Sequence, residues 1–201
     1  MIASSSDKHF LHSSVVLRHA NGDSGEAEQF VETILTEAAV HKRRVWVSSV
    51  LFAELRPSMF VPGRFATLFE LTRYIRALAT LVTPDPNAML RVAKLRDAKW
   101  LMPGDGQEGK PRTLSLGDAM QVASALWVKE AIGVPDLEFL TFDDWCSPDA
   151  GRGDRLCLLH LQDYAVEEGA PEDVKTPALI RRARLEPVTR AQPHPHSVTA
   201  G

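Results

Sequence analysis

The chain has 201 residues, of which 44% are hydrophobic and 24% charged, a length that suits one full-sized domain with a core and is too short for two large ones. No apolar run approaches the roughly 20 residues that a membrane-spanning helix needs, and the first residues lack the charged start and apolar core of a signal peptide. With Cys146 and Cys157 as the only cysteines, we expect a protein of the reducing cytoplasm.

The net charge of -3 hides an uneven distribution of charged residues along the chain. Residues 41–112 carry 13 Lys or Arg against 6 Asp or Glu, whereas the remainder carries 10 against 20. A basic segment of this kind is typical of a surface that binds an anionic polymer, but solvated helix faces have the same composition. The charge distribution alone therefore leaves both interpretations open.

Short apolar runs alternate with amphipathic segments along most of the chain. Residues 1–8 are polar and serine-rich, and we expect them to form a disordered N-terminal extension. Strands are predicted at 9–11, 45–48, 81–83, 138–142 and 156–161. Helices are predicted at 26–40, 64–79 and 88–100, with two more that begin after Ser49 and Ser115. Residues 102–112, a polar Gly/Pro loop without the Walker spacing of a phosphate-binding loop, are predicted to be a mobile flap.

This alternation over about 150 residues predicts an α/β fold, with helices on both faces of an open, parallel, five-stranded sheet in three α/β/α layers. The predicted domain covers residues 9–165. Residues 166–201 are rich in proline, charge and small side chains without apolar periodicity, which indicates an accessory and mostly irregular C-terminal tail.

Two carboxylates lie at the ends of neighbouring predicted elements in residues 114–144. The sequence of this segment is LSLGDAMQVASALWVKEAIGVPDLEFLTFDD. Ser115 stands three residues before Asp118, as a helix N-cap stands before an acidic residue of the first turn. The apolar run 138–142 then ends at Asp143, where a buried parallel strand would reach solvent. Strand ends and helix starts are adjacent on the ligand-binding face of a parallel α/β fold, so we expect Asp118 and Asp143 to lie close together.

Two more polar positions follow predicted strands, His12 after the first and Glu54 in the turn and helix after the second. A single glutamate in a first helical turn usually does no more than stabilise the helix dipole, and that interpretation of Glu54 stays open. Carboxylates grouped with Asp118 and Asp143 would repel one another unless a cation lay among them, and oxygen ligands are those that Mg²⁺ and Mn²⁺ prefer. The pattern therefore predicts a metal site.

This arrangement resembles the PIN domain, and within it the VapC-like toxin ribonucleases of bacterial toxin-antitoxin pairs. The resemblance covers residues 9–161 and depends on VWVSSVLFAEL, which is similar to the family's strand, serine and helix with an internal glutamate. It depends equally on LSLGDAMQVASA and EFLTFDDW, which are similar to the later helix and strand that carry acids. The order and spacing of the three motifs together carry the resemblance, and each motif alone is weak.

By this resemblance Glu54, Asp118 and Asp143 match three of the family's four acidic positions. It implies hydrolysis of RNA phosphodiester bonds with Mg²⁺ or Mn²⁺. In this reaction Asp118 and Asp143 would hold the metal and orient the attacking water. Glu54 would assist a second ion or accept the proton, and His12 would occupy the remaining ligand position. Supporting positions are Ser14, Thr141 and Asp144. The implied partners are the RNA substrate, a cognate antitoxin whose segment covers the acidic cleft, and a second copy in a homodimer, with no membrane involved.

One position departs from the resemblance, because FLHSSVVLR has His12 where the family's first strand normally ends in aspartate. Histidine can ligate a divalent metal, but it removes a negative charge and a hard oxygen, which lowers Mg²⁺ affinity and shifts the preference towards Mn²⁺ or Zn²⁺. The site is then impaired, or the histidine is a working substitute, or an inactivating change was introduced into a toxic nuclease. We favour impairment of an active-family scaffold.

Two rival interpretations come from other classes of protein. The first is a PIN-like module without catalysis that binds protein or RNA, and His12 is the feature that favours it. The second is a receiver-like phosphoacceptor domain, which also uses acidic strand ends. A receiver domain needs a lysine after its last strand and an acidic pair after its first, and the sequence supplies neither.

Overall fold

The computed structural model describes residues 6–22, 25–61, 63–101, 111–143, 155–163, 165–166, 174 and 181–182. Three predictions lie mainly outside these ranges: the disordered extension at 1–8, the flap at 102–112 and the C-terminal tail at 166–201. Asp144, predicted to support the site, also lies outside the described residues.

The fold is mixed α/β and is built on a parallel sheet. Its four main strands are β1 (Lys8–Leu11), β2 (Arg44–Ser48), β3 (Thr80–Val82) and β5 (Glu138–Leu140), in the order β3-β2-β1-β5. Three further strands have two residues each. Strands β4 (Trp100–Leu101) and β6 (Ala165–Val166) pair with each other in antiparallel orientation, and β7 (Arg181–Arg182) lies parallel beside β5. Two residues of the predicted irregular tail thus extend the sheet.

The described part of the chain has six α-helices. They are α1 (Ser13–Asn21), α2 (Glu26–Ala39), α3 (Leu51–Glu54), α4 (Leu68–Leu78), α5 (Pro86–Asp97) and α6 (Leu116–Glu130). Successive strand residues point to opposite faces of the sheet, and each face is covered by its own apolar cluster. Phe10 packs with residues of α5 and α6, whereas its neighbour Leu11 packs with residues of α1, α2 and α4.

The strand order reverses at β1. From β1 the chain adds β2 and β3 on one side, and it later returns to add β5 on the other side. In open parallel sheets the crevice at the carboxyl ends of the two strands at such a switch point is the place where ligands bind. The ends of β1 and β5, at Leu11 and Leu140, therefore mark the place to look for a site.

The prediction of a strand at 156–161 is wrong. This segment contributes a 3-10 helix at Leu158–Asp163, and Leu156, Leu158 and Leu161 are buried in the cluster beneath α5 and α6. A short apolar run is buried whether it is extended or helical, so periodicity cannot separate the two conformations.

Two boundaries near the first strand also differ from the predictions. Strand β1 begins at Lys8, a residue predicted to belong to the disordered extension, and Ser6 is already buried, with its hydroxyl donating to the carbonyl of Asp136 at 2.9 Å. Helix α1 was not predicted, because the β-branched pair Val15-Val16 lowers helix propensity and His12 is an unusual N-cap.

Cys157 is disulfide-bonded. Disulfides are rare in reducing compartments, so this observation opposes the predicted compartment, which stays a prediction. Among the described residues, no helix combines the length and apolar character that a membrane span requires.

Candidate active site

The four side chains predicted as catalytic and metal-binding line one cavity of about 390 Å³ at the switch point of the sheet, as does the supporting Ser14, whereas Thr141 is not part of its lining. His12 follows β1, Asp118 lies in the first turn of α6, Asp143 follows β5, and Glu54 ends α3. The lining also includes Ser13, Ser14, Leu17, Ala53, Leu55, Arg56, Ser115 and Arg155. Four different elements, spread over residues 12 to 143, therefore deliver one histidine and three carboxylates to a single cleft.

Asp118 owes its position to the start of α6. The Ser115 side chain caps the helix by accepting from the Asp118 N–H at 3.1 Å, and its hydroxyl makes a short hydrogen bond to Oδ2 of Asp118. Oδ2 also lies 3.5 Å from Nη2 of Arg155. Burial raises the pKa of the Asp118 carboxyl, but His12, the Ser115 hydroxyl and Arg155 together lower that pKa more. Asp118 is therefore ionised at neutral pH.

His12 is the N-cap of α1. Its Nδ1 lies 3.4 Å from the Ser14 N–H, 2.9 Å from the Ser14 hydroxyl and 3.2 Å from the Thr141 hydroxyl. Because Nδ1 accepts from the Ser14 N–H, the neutral ring carries its proton on Nε2. Nε2 lies 3.4 Å from Oδ1 of Asp118, a distance at which the two atoms touch without hydrogen-bond geometry. The His12 ring therefore occupies the space beside this carboxylate oxygen.

Ser14 and Thr141 hold the ends of β1 and β5 together around the His12 ring. The Ser14 hydroxyl accepts from the Phe142 N–H at 2.9 Å, and the Thr141 hydroxyl accepts from the Asp143 N–H at 3.1 Å. The two hydroxyls are 3.4 Å apart. A supporting role was predicted for both residues. In the structure their hydroxyls accept hydrogen bonds from the backbone at 142 and 143, next to the Asp143 side chain.

Asp143, which follows strand β5, is hydrogen-bonded to the start of the 3-10 helix at Leu158–Asp163. Its Oδ2 accepts from the Leu158 N–H at 3.2 Å, and its backbone carbonyl accepts from the Leu159 N–H at 3.0 Å. The carboxylate therefore orders the chain near Arg155, a site residue that sequence reasoning missed. A single arginine in a polar loop has no spacing that would relate it to Asp118.

Glu54 is held against the first turn of α6. The Gln121 side chain donates from Nε2 to Oε2 of Glu54 in a short hydrogen bond. Oε1 lies against Gly117, where an added Cβ would stand only 1.8 Å from it. Sequence reasoning missed both partners, although a glycine in a first helical turn and a glutamine between buried residues were visible signals.

The donor chemistry of the cleft fits a hard divalent cation, since three carboxylates and one histidine are candidate ligands. Among the described residues, however, no three side chains from His, Cys, Asp and Glu lie close enough to form a metal-holding group. Both oxygens of Asp118 already contact protein groups, His12 on one side and Ser115 with Arg155 on the other. An ion would compete with these groups for Asp118.

Substituting Gly117 by alanine is expected to move the Glu54 carboxylate out of its present position while leaving the free energy of unfolding within about 1 kcal/mol of wild type. The new Cβ displaces only the end of a flexible side chain, and alanine favours the helix. A crystal structure of the variant and its thermal unfolding would measure both effects.

Gly133→Ala is the matched control for Gly117→Ala. Gly133 has φ +77° with open space around it, so an alanine there strains the backbone and is expected to cost about 1 kcal/mol without moving Glu54. An unmoved Glu54 carboxylate in Gly117→Ala would contradict the close approach described above.

Comparisons with protein-family models, with curated proteins and with solved structures found no significant match to this chain.

Proposed function

We propose that the chain is a metal-dependent endoribonuclease of the VapC-like toxin type, with a PIN-like domain of three α/β/α layers around a five-stranded sheet. The carrying observation is the convergence of Glu54, Asp118, Asp143 and His12 on one cavity at the switch point of a parallel sheet. The proposed reaction is hydrolysis of RNA phosphodiester bonds with Mg²⁺ or Mn²⁺, at a site that His12 impairs.

The acidic residues are assigned roles that suit their surroundings. Asp118 is ionised, because its neighbours hold its pKa below the ordinary value, and together with Asp143 it would provide oxygen ligands. Glu54, fixed by Gln121, would assist a second ion or accept a proton from water. A bound divalent cation would supply a water of lowered pKa and neutralise charge on the phosphate.

The proposed impairment follows from the contact between His12 and Asp118. The resemblance implies an aspartate at position 12, which would contribute a negative charge and an oxygen ligand. His12 contributes neither, and its Nε2 lies against a carboxylate oxygen that the ion needs. Ligation through Nε2 requires the other tautomer, in which Nδ1 is protonated and no longer accepts from the Ser14 N–H. Metal binding at His12 therefore competes with capping of α1.

The partners belong to this proposal and come from the resemblance. They are RNA, a cognate antitoxin and a second copy of the chain. The basic segment 41–112 supplies the charge that RNA binding requires, and Arg56 from this segment lines the cavity. Binding to phosphates with several cationic side chains should weaken steeply as salt rises.

A second candidate, a non-catalytic PIN-like module that binds protein or RNA, is favoured by one observation. Oδ1 of Asp118 lies beside the His12 ring and Oδ2 beside the guanidinium of Arg155, and the described residues form no three-ligand group. In such a module these two side chains would permanently take the place of an ion beside Asp118.

Calorimetric titration with Mn²⁺ separates the two candidates. For a nuclease we expect saturable binding that Asp118→Asn lowers about tenfold or more, since the substitution removes a ligand charge while keeping the size of the side chain. Asp97→Asn, at an exposed position of α5, is the control and should bind as wild type does. Absence of any Mn²⁺ site that depends on Asp118 would favour the non-catalytic module.

A further inference from the structure

We propose that Gln121 is a positioning residue, which sets the orientation of the Glu54 carboxylate in the cleft. This inference rests on the proposed nuclease function and adds to it a residue that neither the acidic pattern nor the resemblance assigns. Gln121 is on α6, its side chain is 0% exposed, and its Nε2 donates to Oε2 of Glu54 across 67 positions of sequence.

The surroundings of Gln121 argue against a role in packing alone. Its neighbours on the buried part of α6 include the apolar Val122 and Ala125 as well as the polar Asp118 and Ser124, and none of them is hydrogen-bonded to its amide. Its other polar atom, Oε1, is buried and has no hydrogen-bond partner within the described residues. A buried carbonyl without a partner is destabilising, so an apolar side chain of the same size would serve the core better. The amide is explained by the hydrogen bond to Glu54.

Gln121 and Gly117 act on the two oxygens of the same carboxylate. They lie four positions apart on α6, so they share one face of the helix. Gln121 fixes Oε2, while the missing side chain of Gly117 admits Oε1. Asp118 follows Gly117 directly in the first turn of the helix, and the arrangement therefore fixes Glu54 relative to Asp118.

The amide is suited to this task because it orients a carboxylate without adding charge. An arginine or lysine at position 121 would pair with Glu54 and compete with a cation for it. A neutral donor leaves the negative charge of Glu54 available in the cleft, and such neighbours of ligand carboxylates tune metal affinity.

The test is a double-substitution cycle in the His12→Asp background, with Mn²⁺ alone as the ligand and RNA cleavage as a second readout. Gln121→Met keeps the size of the side chain and removes the donor. We expect it to weaken Mn²⁺ binding about tenfold or more, as Glu54→Gln does. If Gln121 acts through Glu54, the double variant is no weaker than Glu54→Gln alone, whereas two independent losses would add.

A metal-free readout accompanies the cycle. The side-chain amide signals of Gln121 in nuclear magnetic resonance spectra of the wild-type chain should shift in Glu54→Gln, because a charge-assisted hydrogen bond becomes a neutral one. Ser124→Ala is the control on the same helix, since the Ser124 hydroxyl contacts Ser48 and the Met120 carbonyl rather than Glu54. Ser124→Ala should change neither Mn²⁺ affinity nor the amide signals.

Three results would overturn the inference. Unchanged Mn²⁺ affinity in Gln121→Met, with a parent that binds Mn²⁺, refutes the positioning role alone and leaves the nuclease proposal standing. Unshifted amide signals in Glu54→Gln refute the contact itself. Absence of Mn²⁺ binding in every variant refutes the nuclease proposal, and the positioning role falls with it even where the amide signals report the contact.

Discussion

Substituting His12 by aspartate is expected to raise the affinity for Mn²⁺ about tenfold or more. Aspartate adds an oxygen ligand and a negative charge at the end of β1, beside Asp118. It also removes Nε2, which now lies 3.4 Å from Oδ1 of Asp118 and would compete with an ion for that carboxylate. Calorimetric titration of the purified variant with Mn²⁺ and Mg²⁺ measures the change.

The fold should accept this substitution. His12 caps α1 through a side chain that accepts from the Ser14 N–H, and aspartate is among the preferred capping residues. The ring contact with Phe139, at 6.0 Å between centroids, is lost. His12→Asn is the matched control, because asparagine caps the helix without a negative charge. Equal Mn²⁺ affinity in the two variants would contradict the assigned role of position 12.

Acid is expected to destabilise the fold by about 3 kcal/mol between pH 6.5 and pH 4 through His9 alone. Burial, aided by the charge of Arg43, lowers the His9 pKa to about 4 from an ordinary value of 6.5. Within this window the unfolded chain binds a proton that the folded chain does not, so stability is greatest above pH 6.5 and falls as the pH falls. Chemical denaturation across this range measures the slope.

The contacts of His9 explain why its proton is costly. Its Nε2 lies 2.9 Å from Nη1 of Arg43, which can only donate, so the neutral ring is the form that fits. The ring is completely buried in β1, opposite Glu138 of β5. His9→Gln keeps an acceptor for Arg43 and removes the titration, and it should flatten the slope. Burial also lowers the pKa of His19, so this residue should contribute to the pH dependence of stability in the same direction.

A His9→Gln variant that loses stability between pH 6.5 and 4 as steeply as wild type would contradict this assignment.

The local sequence was sufficient to predict the elements with strong short-range signals. Ser115 before Asp118 predicted the start of α6, and the structure confirms that the serine caps it. The strand ends near His12 and Asp143 followed from apolar runs that stop at polar residues. The helix predicted at 64–79 begins only at Leu68, capped by Thr67, and Phe69 in its first turn is 74% exposed.

The rest of the site depends on contacts that sequence spacing does not encode. Gln121 and Glu54 are 67 positions apart, and Arg155 reaches Asp118 from a segment predicted only as loop and strand. That His12 faces Asp118 follows from the pairing of β1 with β5 and the packing of α6 beneath them, which are long-range features of the fold. The sequence predicted which histidine and carboxylates come together at the switch point, but it did not predict which groups contact Asp118.

The most direct test of the proposed nuclease is hydrolysis of mixed RNA in Mn²⁺ by three proteins: wild type, His12→Asp and His12→Asp combined with Asp118→Asn. We predict slow or undetectable cleavage by wild type, clear cleavage by His12→Asp that a chelator stops, and its loss when Asp118→Asn is added. Cleavage that survives Asp118→Asn, or no cleavage by His12→Asp, would contradict a metal-dependent nuclease centred on this cleft.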